Sequence, residues 1–282
     1  MTDNGHNPEA GRDHAEGIYL FCFARQNAAQ AVGLRGPDDR SPVSQRQFKD
    51  IVAVLSKVPL GEWIGPSSEA NLQDLSWVGP RACRHQEIIE QAMRYSSVLP
   101  ARFGTIFSSS ERLEDTFCSH YDSISEFLDY AADKEEWALK GLLDTAKAED
   151  HLLARGSRST NLPPSSGARY MMEKQLRIEA KRKMKTWAKT LSDTIVEELQ
   201  PLAVESRALK TLSRYASGRE LDVAFNWAFL LTCEGRDGFL SSVERLNDDY
   251  SRHGLELEIS GPWPPYSFCP SLSHDKEPEK IE

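Results

Sequence analysis

The side chains with chemistry to offer in this chain are histidines and carboxylates in small groups. His85 follows Cys83 by two positions and shares a helical spacing with Ile88, Ile89 and Ala92. A zinc site would need two further ligands at suitable spacing, and the run His85-Gln86-Glu87-Ile88-Ile89-Glu90 is not H-E-x-x-H. His85 therefore reads as a helix-face histidine near the seam between two domains. Asp144, Asp150 and His151 form a second group near a strand end, where a carboxylate and an imidazole could do acid–base work. No serine, cysteine or glycine loop completes that set, so surface-loop chemistry is the simpler account. The phosphate-binding G-x-x-x-x-G-K-[ST], the dinucleotide G-x-G-x-x-G and the nucleophile elbow G-x-S-x-G are all absent. Cys22, Cys83, Cys118, Cys233 and Cys269 are odd in number, scattered and free of any C-x-x-C, as suits reduced structural thiols. Neither a metal nor an organic cofactor is expected.

Charge points to a different kind of surface. Lys174, Arg177, Lys181, Arg182, Lys185 and Lys189 recur along one helical stretch, interleaved with Glu173 and Glu179. Such a run is usually a solvated face; its functional reading is a dock for an acidic partner or a nucleic acid. The formal net charge of −9 and the lack of interleaved aromatics argue against general nucleic-acid binding. Arg102 stands among apolar residues and reads as a buried or interface arginine paired with an acid of the other domain. No apolar run approaches the ~18 residues of a membrane span, and no apolar signal core follows Met1. A cytoplasmic protein with no membrane role is the default.

The elements that position these residues follow from hydrophobic period. A chain of 282 residues suits two domains. Residues 1–16 are polar and read as a disordered extension. Gly17–Ala24 and Asp50–Ser56 read as strands, with loop from Arg35 to Arg46. From Arg81 the period becomes helical, Pro100 stops that helix, and Arg102–Phe107 reads as a strand. Ser108 and Glu111 match a capping box, and Leu113, Phe117, Tyr121, Ile124 and Leu128 then line one helical face. This α+β domain is expected to span 17–133.

The second domain, 134–261, reads as a strand over Glu136–Asp144, a breaker cluster over Asn161–Gly167, and a long helix over Ala168–Leu199. A short strand within Pro201–Leu209 follows, then a buried central strand over Asp222–Cys233. A helix over Asp237–His253 and an alternating strand from Leu255 complete it. That order fits a ferredoxin-like split βαβ unit with a helical extension in its first crossover. Residues 262–282 form a tail. Within Gly261–Phe268 three prolines, a glycine and three aromatics fall in eight positions. This should be a stiff, extended segment whose aromatics anchor it.

Six segments in order resemble the gas vesicle protein L/F family: GIYLFCFA, DLSWVGPRACRHQEII, VLPARFGTIF, EEWALKGLLD, FNWAFLLTC and SGPWPPYSF. They span Gly17 to Phe268. The polar N-terminal extension and the tail beyond Pro270 depart from the pattern. The resemblance implies two α+β domains, the second a modified ferredoxin-like fold, packed with help from a C-terminal tail. It implies a non-enzymatic accessory or structural protein needed to build gas vesicles and located with them. The implied partners are the small hydrophobic shell subunit and other vesicle accessory proteins. The family has no catalytic residues to carry over. The expected structural contacts at the domain seam are Arg102, Phe103, Trp263, Tyr266 and Phe268. The expected partner-binding residues are Lys174, Arg177, Lys181, Lys185 and Lys189. The rival reading is a small-ligand binder or enzyme on a ferredoxin-like domain, since that fold hosts many functions.

Elemental analysis and mass spectrometry of released small molecules should find no stoichiometric metal or nucleotide in the purified protein. A zinc ion retained through dialysis would reassign Cys83 and His85.

Overall fold

A computed structural model of the chain describes residues 15–25, 34–64, 66–158, 165–211 and 221–272. Of the disordered extension expected over 1–16, Glu16 instead opens the first strand; residues 1–14, most of the breaker cluster at 161–164 and the end of the tail from 273 lie outside the described residues. Helices and two antiparallel sheets are mixed along the chain, which divides into two compact units. Unit 1 comprises 1–133 with 264–282, and unit 2 comprises 134–263.

In unit 1 the strands are β1 (Glu16–Arg25), β2 (Val43–Phe48), β3 (Ile51–Pro59), β4 (Val98–Pro100) and β5 (Ile106–Phe107). The sheet order is β2-β3-β1-β4, with β5 also pairing β1. Helices α1 (Leu60–Trp63), α2 (Pro66–Gln73), α3 (Leu75–Met93) and α4 (Ser110–Tyr130) complete it. Strand alternation divides β3 between two cores. Val52, Val54 and Val58 join the α3 residues Ile88, Ile89 and Ala92. Ile51, Ala53 and Leu55 point to the opposite face and are equally buried. On that opposite face Phe117 of α4 stacks on Phe48 at 4.4 Å and meets Phe23 at 5.9 Å. The register of β1 slips between Leu20 and Cys22. The bulge sets Phe21 and Cys22 in the same α3-side cluster, where simple alternation would separate them.

Polar contacts tie the far end of β1 to α4. The Arg25 guanidinium bridges Asp50 and Asp129 and donates to the Ser125 carbonyl. The Tyr121 hydroxyl donates to Asp50 at 2.6 Å, and that bond is the main reason the Asp50 carboxyl is held below the usual carboxylate range.

In unit 2 the strands are β6 (Lys134–Leu143), β7 (Glu205–Ala208), β8 (Asp222–Thr232) and β9 (Leu255–Trp263), in the order β7-β8-β6-β9. The helices are α5 (Thr145–Arg158), α6 (Ser166–Leu199) and α7 (Arg236–Ser251). One core gathers Leu139, Ile195, Leu199, Phe229, Phe239, Val243, Leu246 and Leu255. It joins the C-terminal end of α6 and the apolar face of α7 to the central strands β6 and β8.

Several sequence expectations shift. α3 starts at Leu75, six residues before Arg81, because Asp74 caps it by accepting from Ser76 N at 2.8 Å. Pro80 sits inside the helix, where it removes a donor without ending it. Arg102–Phe107 is not one strand. Pro100 already lies in β4, a sheet-edge strand that needs no full set of donors. Residues 101–105 form a turn closed by Thr105 N donating to the Arg102 carbonyl at 3.1 Å, and β5 follows. The α4 cap is Ser109, whose Oγ accepts from Arg112 N, so Ser108 and Glu111 make no capping box. β2 begins at Val43, inside the expected loop, where pairing to β3 supplies the order its polar sequence lacks. The aromatic–proline segment is not extended throughout. Pro262 and Trp263 finish β9, and Tyr266–Phe268 forms one 3-10 turn. Most of the first half of β8 is half-buried, and its continuous buried run is Ala228–Leu231.

Two glycines with positive φ separate backbone strain from crowding. Gly254 has φ +93°, and a Cβ there would lie 2.6 Å from the Ala148 amide nitrogen. Gly104 has φ +82° with nothing within 4 Å of the added atom. In denaturant melts Gly104→Ala should cost about 1 kcal/mol, the conformational term alone. Gly254→Ala should cost clearly more, because backbone must also move; equal losses would contradict the close approach.

Candidate functional site

Two places gather the residues singled out in the sequence, one in each unit. In unit 1 the centre is His85, which faces inward from α3 and is 3% exposed, while Cys83 is exposed on the same helix. A two-residue step on a helix turns the side chains to opposite sides. Among the described residues no group of three His, Cys, Asp or Glu side chains gathers as metal ligands.

The polar partners of His85 fix its proton. Nε2 lies 3.1 Å from the Ala101 carbonyl, which can only accept, so Nε2 carries the hydrogen. Nδ1 is then the acceptor for the Tyr19 hydroxyl at 2.9 Å. The Tyr19 oxygen accepts in turn from Gly104 N at 3.1 Å. The sequence Gly104 N–H, Tyr19 O–H, His85 Nδ1, His85 Nε2–H, Ala101 C=O is a complete donor–acceptor chain. Phe21, Phe103 and Trp63 enclose it: Phe103 meets the imidazole edge-on at 5.8 Å, and Trp63 meets Tyr19 at 5.1 Å. This apolar surrounding lowers the His85 pKa from 6.5 to about 4 by desolvation, against the opposing bond to Ala101. Burial likewise pushes the Tyr19 phenol upward.

The chain pins both ends of the 101–105 turn. Leu20 N donates to the Thr105 carbonyl at 3.0 Å, and Ala101 N donates to the Phe21 carbonyl at 2.8 Å. Arg102 is on the outside of this turn, exposed, and among the described residues it enters no ion pair. Its expected burial fails because the turn, not a strand, sets its direction. Phe103 packs inward on the core. Tyr266 packs on the same core, and its hydroxyl donates to Gln86 Oε1 of α3 at 3.1 Å. Desolvation raises the Tyr266 phenol. Phe268 is buried as well. Trp263 lies on β9 in unit 2, where its Nε1 donates to Ser260 Oγ at 3.2 Å. So Phe103 and Tyr266 pack on one core of unit 1, Phe268 is buried in the same unit, and Trp263 belongs to the other unit. A cleft of ≈ 550 Å³ lies between the turn and the tail, lined by Leu20, Phe23, Leu99, Phe107 and Leu272 among others. Its lining is chiefly apolar, and its ionisable groups are Arg102, Tyr266 and Cys269.

In unit 2 the six cations of the basic stretch lie on α6, and all are exposed. Arg177 and Lys181 reach Glu149 of α5 at 3.4 and 3.7 Å, and Lys189 pairs with Asp193 at 2.6 Å. Lys174, Arg182 and Lys185 take part in no ion pair among the described residues. The Asp144–Asp150–His151 group does not converge. Asp144 caps α5 by accepting from Ala146 N and Lys147 N, and that bonding holds its carboxyl below the usual range. The His151 and His253 rings meet at a 45° tilt with centroids 4.2 Å apart, and Asp150 is exposed. Asp150 and His151 lie on α5 and Asp144 caps it, so the group is not the expected surface loop.

Sequence reasoning missed Tyr19 and Glu149. A phenol inside the apolar run Gly17–Ala24 is the available signal for the first, since a buried Tyr hydroxyl needs a partner. Glu149 had none until α5 was recognised as a helix packed on α6.

A family model described as gas vesicle synthesis protein GvpL/GvpF matches residues 17–270. Gas vesicle protein L1 of Halobacterium salinarum is 25% identical over 96% of this chain and 99% of its own length. Gas vesicle protein L of a Streptomyces species is 24% identical over 80% of this chain and 82% of its own. The crystal structure of the gas vesicle protein GvpF from Anabaena superposes with a TM-score of 0.65 at 18% identity, covering 93% of this chain and 99% of that one. At that identity the likeness speaks for the fold.

The depressed His85 pKa makes stability depend on pH with a definite sign. The neutral imidazole is favoured in the folded state, so this contribution is complete above pH 6.5. It is lost as pH falls from 6.5 to about 4. The total is about 3 kcal/mol. Denaturant melts from pH 7 to pH 4 should show His85→Phe losing less stability than the wild type across that window. Parallel curves would contradict a buried neutral imidazole.

Proposed function

This chain belongs to the gas vesicle synthesis protein GvpL/GvpF family, and we propose that it is a non-enzymatic accessory protein required for gas vesicle formation. The observation that carries the reading is the match of the family model from residue 17 to residue 270, nearly the whole described chain. In this reading it binds the small hydrophobic shell subunit and other vesicle accessory proteins, and it resides with the vesicle in the cytoplasm. A shell subunit that polymerises through apolar surface is an aggregation hazard before assembly. A protein partner that covers this surface would keep the subunit available.

The architecture supports the same reading. Unit 2 runs β6, α5–α6, β7, β8, α7, β9, and each neighbouring pair in the order β7-β8-β6-β9 is antiparallel. That order fits the ferredoxin-like split βαβ fold we infer for this unit. The α5–α6 pair is its enlarged first crossover. In this reading the domains are 17–133 and 134–263, two residues longer than expected because Pro262 and Trp263 finish β9, with the tail from 264. Within it Tyr266 and Phe268, with Phe103, anchor the tail to the first domain, and Trp263 closes the last strand of the second. The cations Lys174, Arg177, Lys181, Lys185 and Lys189 are the candidate partner surface. Among the described residues no helix is long and apolar enough to cross a membrane.

Deletion of the gene in a vesicle-forming host should abolish or deform vesicles, seen by electron microscopy. Co-expression should co-purify the shell subunit with this chain. Normal vesicles in the deletion strain would refute the reading.

A further inference from the structure

The first fourteen residues of α6, 166–179, contain no buried residue among those described. Yet they carry Tyr170, Met171, Met172, Leu176 and Ile178. Tyr170, Met171 and Ile178 are 65, 64 and 62% exposed. Helical stability in proteins comes mainly from packing an apolar face, and here that face has little to pack on. The C-terminal part of α6 behaves differently, burying Ala188, Ile195, Val196 and Leu199. So α5 and the first half of α6 form a two-helix arm that is apolar along its seam. A groove of ≈ 520 Å³ runs along it, lined by Leu153, Tyr170, Glu173, Lys174, Leu176 and Arg177.

The charge on the arm selects the occupant. Residues 168–189 hold eight lysines and arginines against Glu173 and Glu179, within a chain of net charge −9. Met171, Lys174, Ile178, Arg182 and Lys185 follow one another at steps of three or four, so they share one face. Lys174, Arg182 and Lys185 are the cations of this face with no ion pair among the described residues. Two such arms would repel each other, which disfavours pairing with a second copy. The exposed apolar residues of this helix face, Met171 and Ile178 with Tyr170 beside them, can take a second helix by ridge-into-groove packing.

We propose that the arm docks an amphipathic helix of another vesicle protein, with its apolar stripe on Tyr170, Met171 and Ile178 and its flanking carboxylates on Lys174, Arg182 and Lys185. This rests on the accessory role proposed above and names the chemistry of one partner surface.

The test uses the full chain in a vesicle-forming host, with a photoactivatable aromatic residue in place of Ile178. The cross-linked peptide is identified by mass spectrometry. The expected product joins position 178 to a net-acidic segment of a vesicle protein with apolar residues at i, i+3, i+4 and i+7. A second form carries Lys174→Glu, Arg182→Glu and Lys185→Glu. Its cross-link should fall about tenfold at low salt, and Lys→Arg at 174 and 185 should retain it. Circular dichroism melts establish that each variant is folded. A cross-link to a second copy of this chain, to a basic or non-helical segment, or to no protein would overturn the proposal. So would a folded triple reversal with an unchanged cross-link. If deletion of the gene abolishes vesicles while these results occur, the arm is wrong and the accessory role stands. If deletion leaves vesicles normal, the accessory role itself fails.

Discussion

The constraint on which unit 1 depends is the need to satisfy two polar side chains inside an aromatic core. A phenol and an imidazole buried without partners would each cost on the order of 1–3 kcal/mol. Tyr19 and His85 avoid this by satisfying one another, and the remaining donor and acceptor positions are met by the backbone at Gly104 and Ala101. The arrangement holds the 101–105 turn at both ends. It also explains why β4 and β5 are separate short strands and why Arg102 faces outward. Tyr266 repeats the solution on the same core, with its ring in the apolar cluster and its hydroxyl on Gln86.

Unit 2 is built on the opposite balance. Its sheet and the C-terminal half of α6 close a well-buried core around Phe229, Phe239 and Leu199. Its α5–α6 arm leaves large apolar residues exposed beside cations that form no ion pair among the described residues. A core that is internally satisfied has nothing to offer a partner, whereas an arm of this composition gains by acquiring one. The catalytic reading has no comparable support: the carboxylate and histidine groups that invited it are a helix cap and a tilted ring pair.

The strands with continuous or alternating apolar runs were legible in the sequence, as Gly17–Ala24, Asp50–Ser56 and Leu255–Ile259 illustrate. So were the helical faces of α4 and α7, because period alone carries them. α5 was missed because its apolar residues, Ala148, Leu152 and Leu153, are few and become a face only against α6. β2 was hidden by its polar sequence, since its order comes from pairing with β3. The basic stretch on α6 could be seen as a charged helix, but its exposed apolar residues mattered only once burial was known. His85 was rightly placed on a helix face. Its partners were invisible, because Tyr19 is 66 residues away and the Ala101 carbonyl belongs to backbone that no sequence pattern marks.

The most direct measurement of the central claim is the protonation state of His85 itself, read by long-range proton–nitrogen correlation NMR on labelled protein. The account predicts a neutral ring with its hydrogen on Nε2, unchanged as pH is lowered from 7 to 5. The Gly104 amide should be protected from exchange over the same range. An imidazole that titrates near 6.5, or one with its hydrogen on Nδ1, would contradict the donor–acceptor chain that holds the turn.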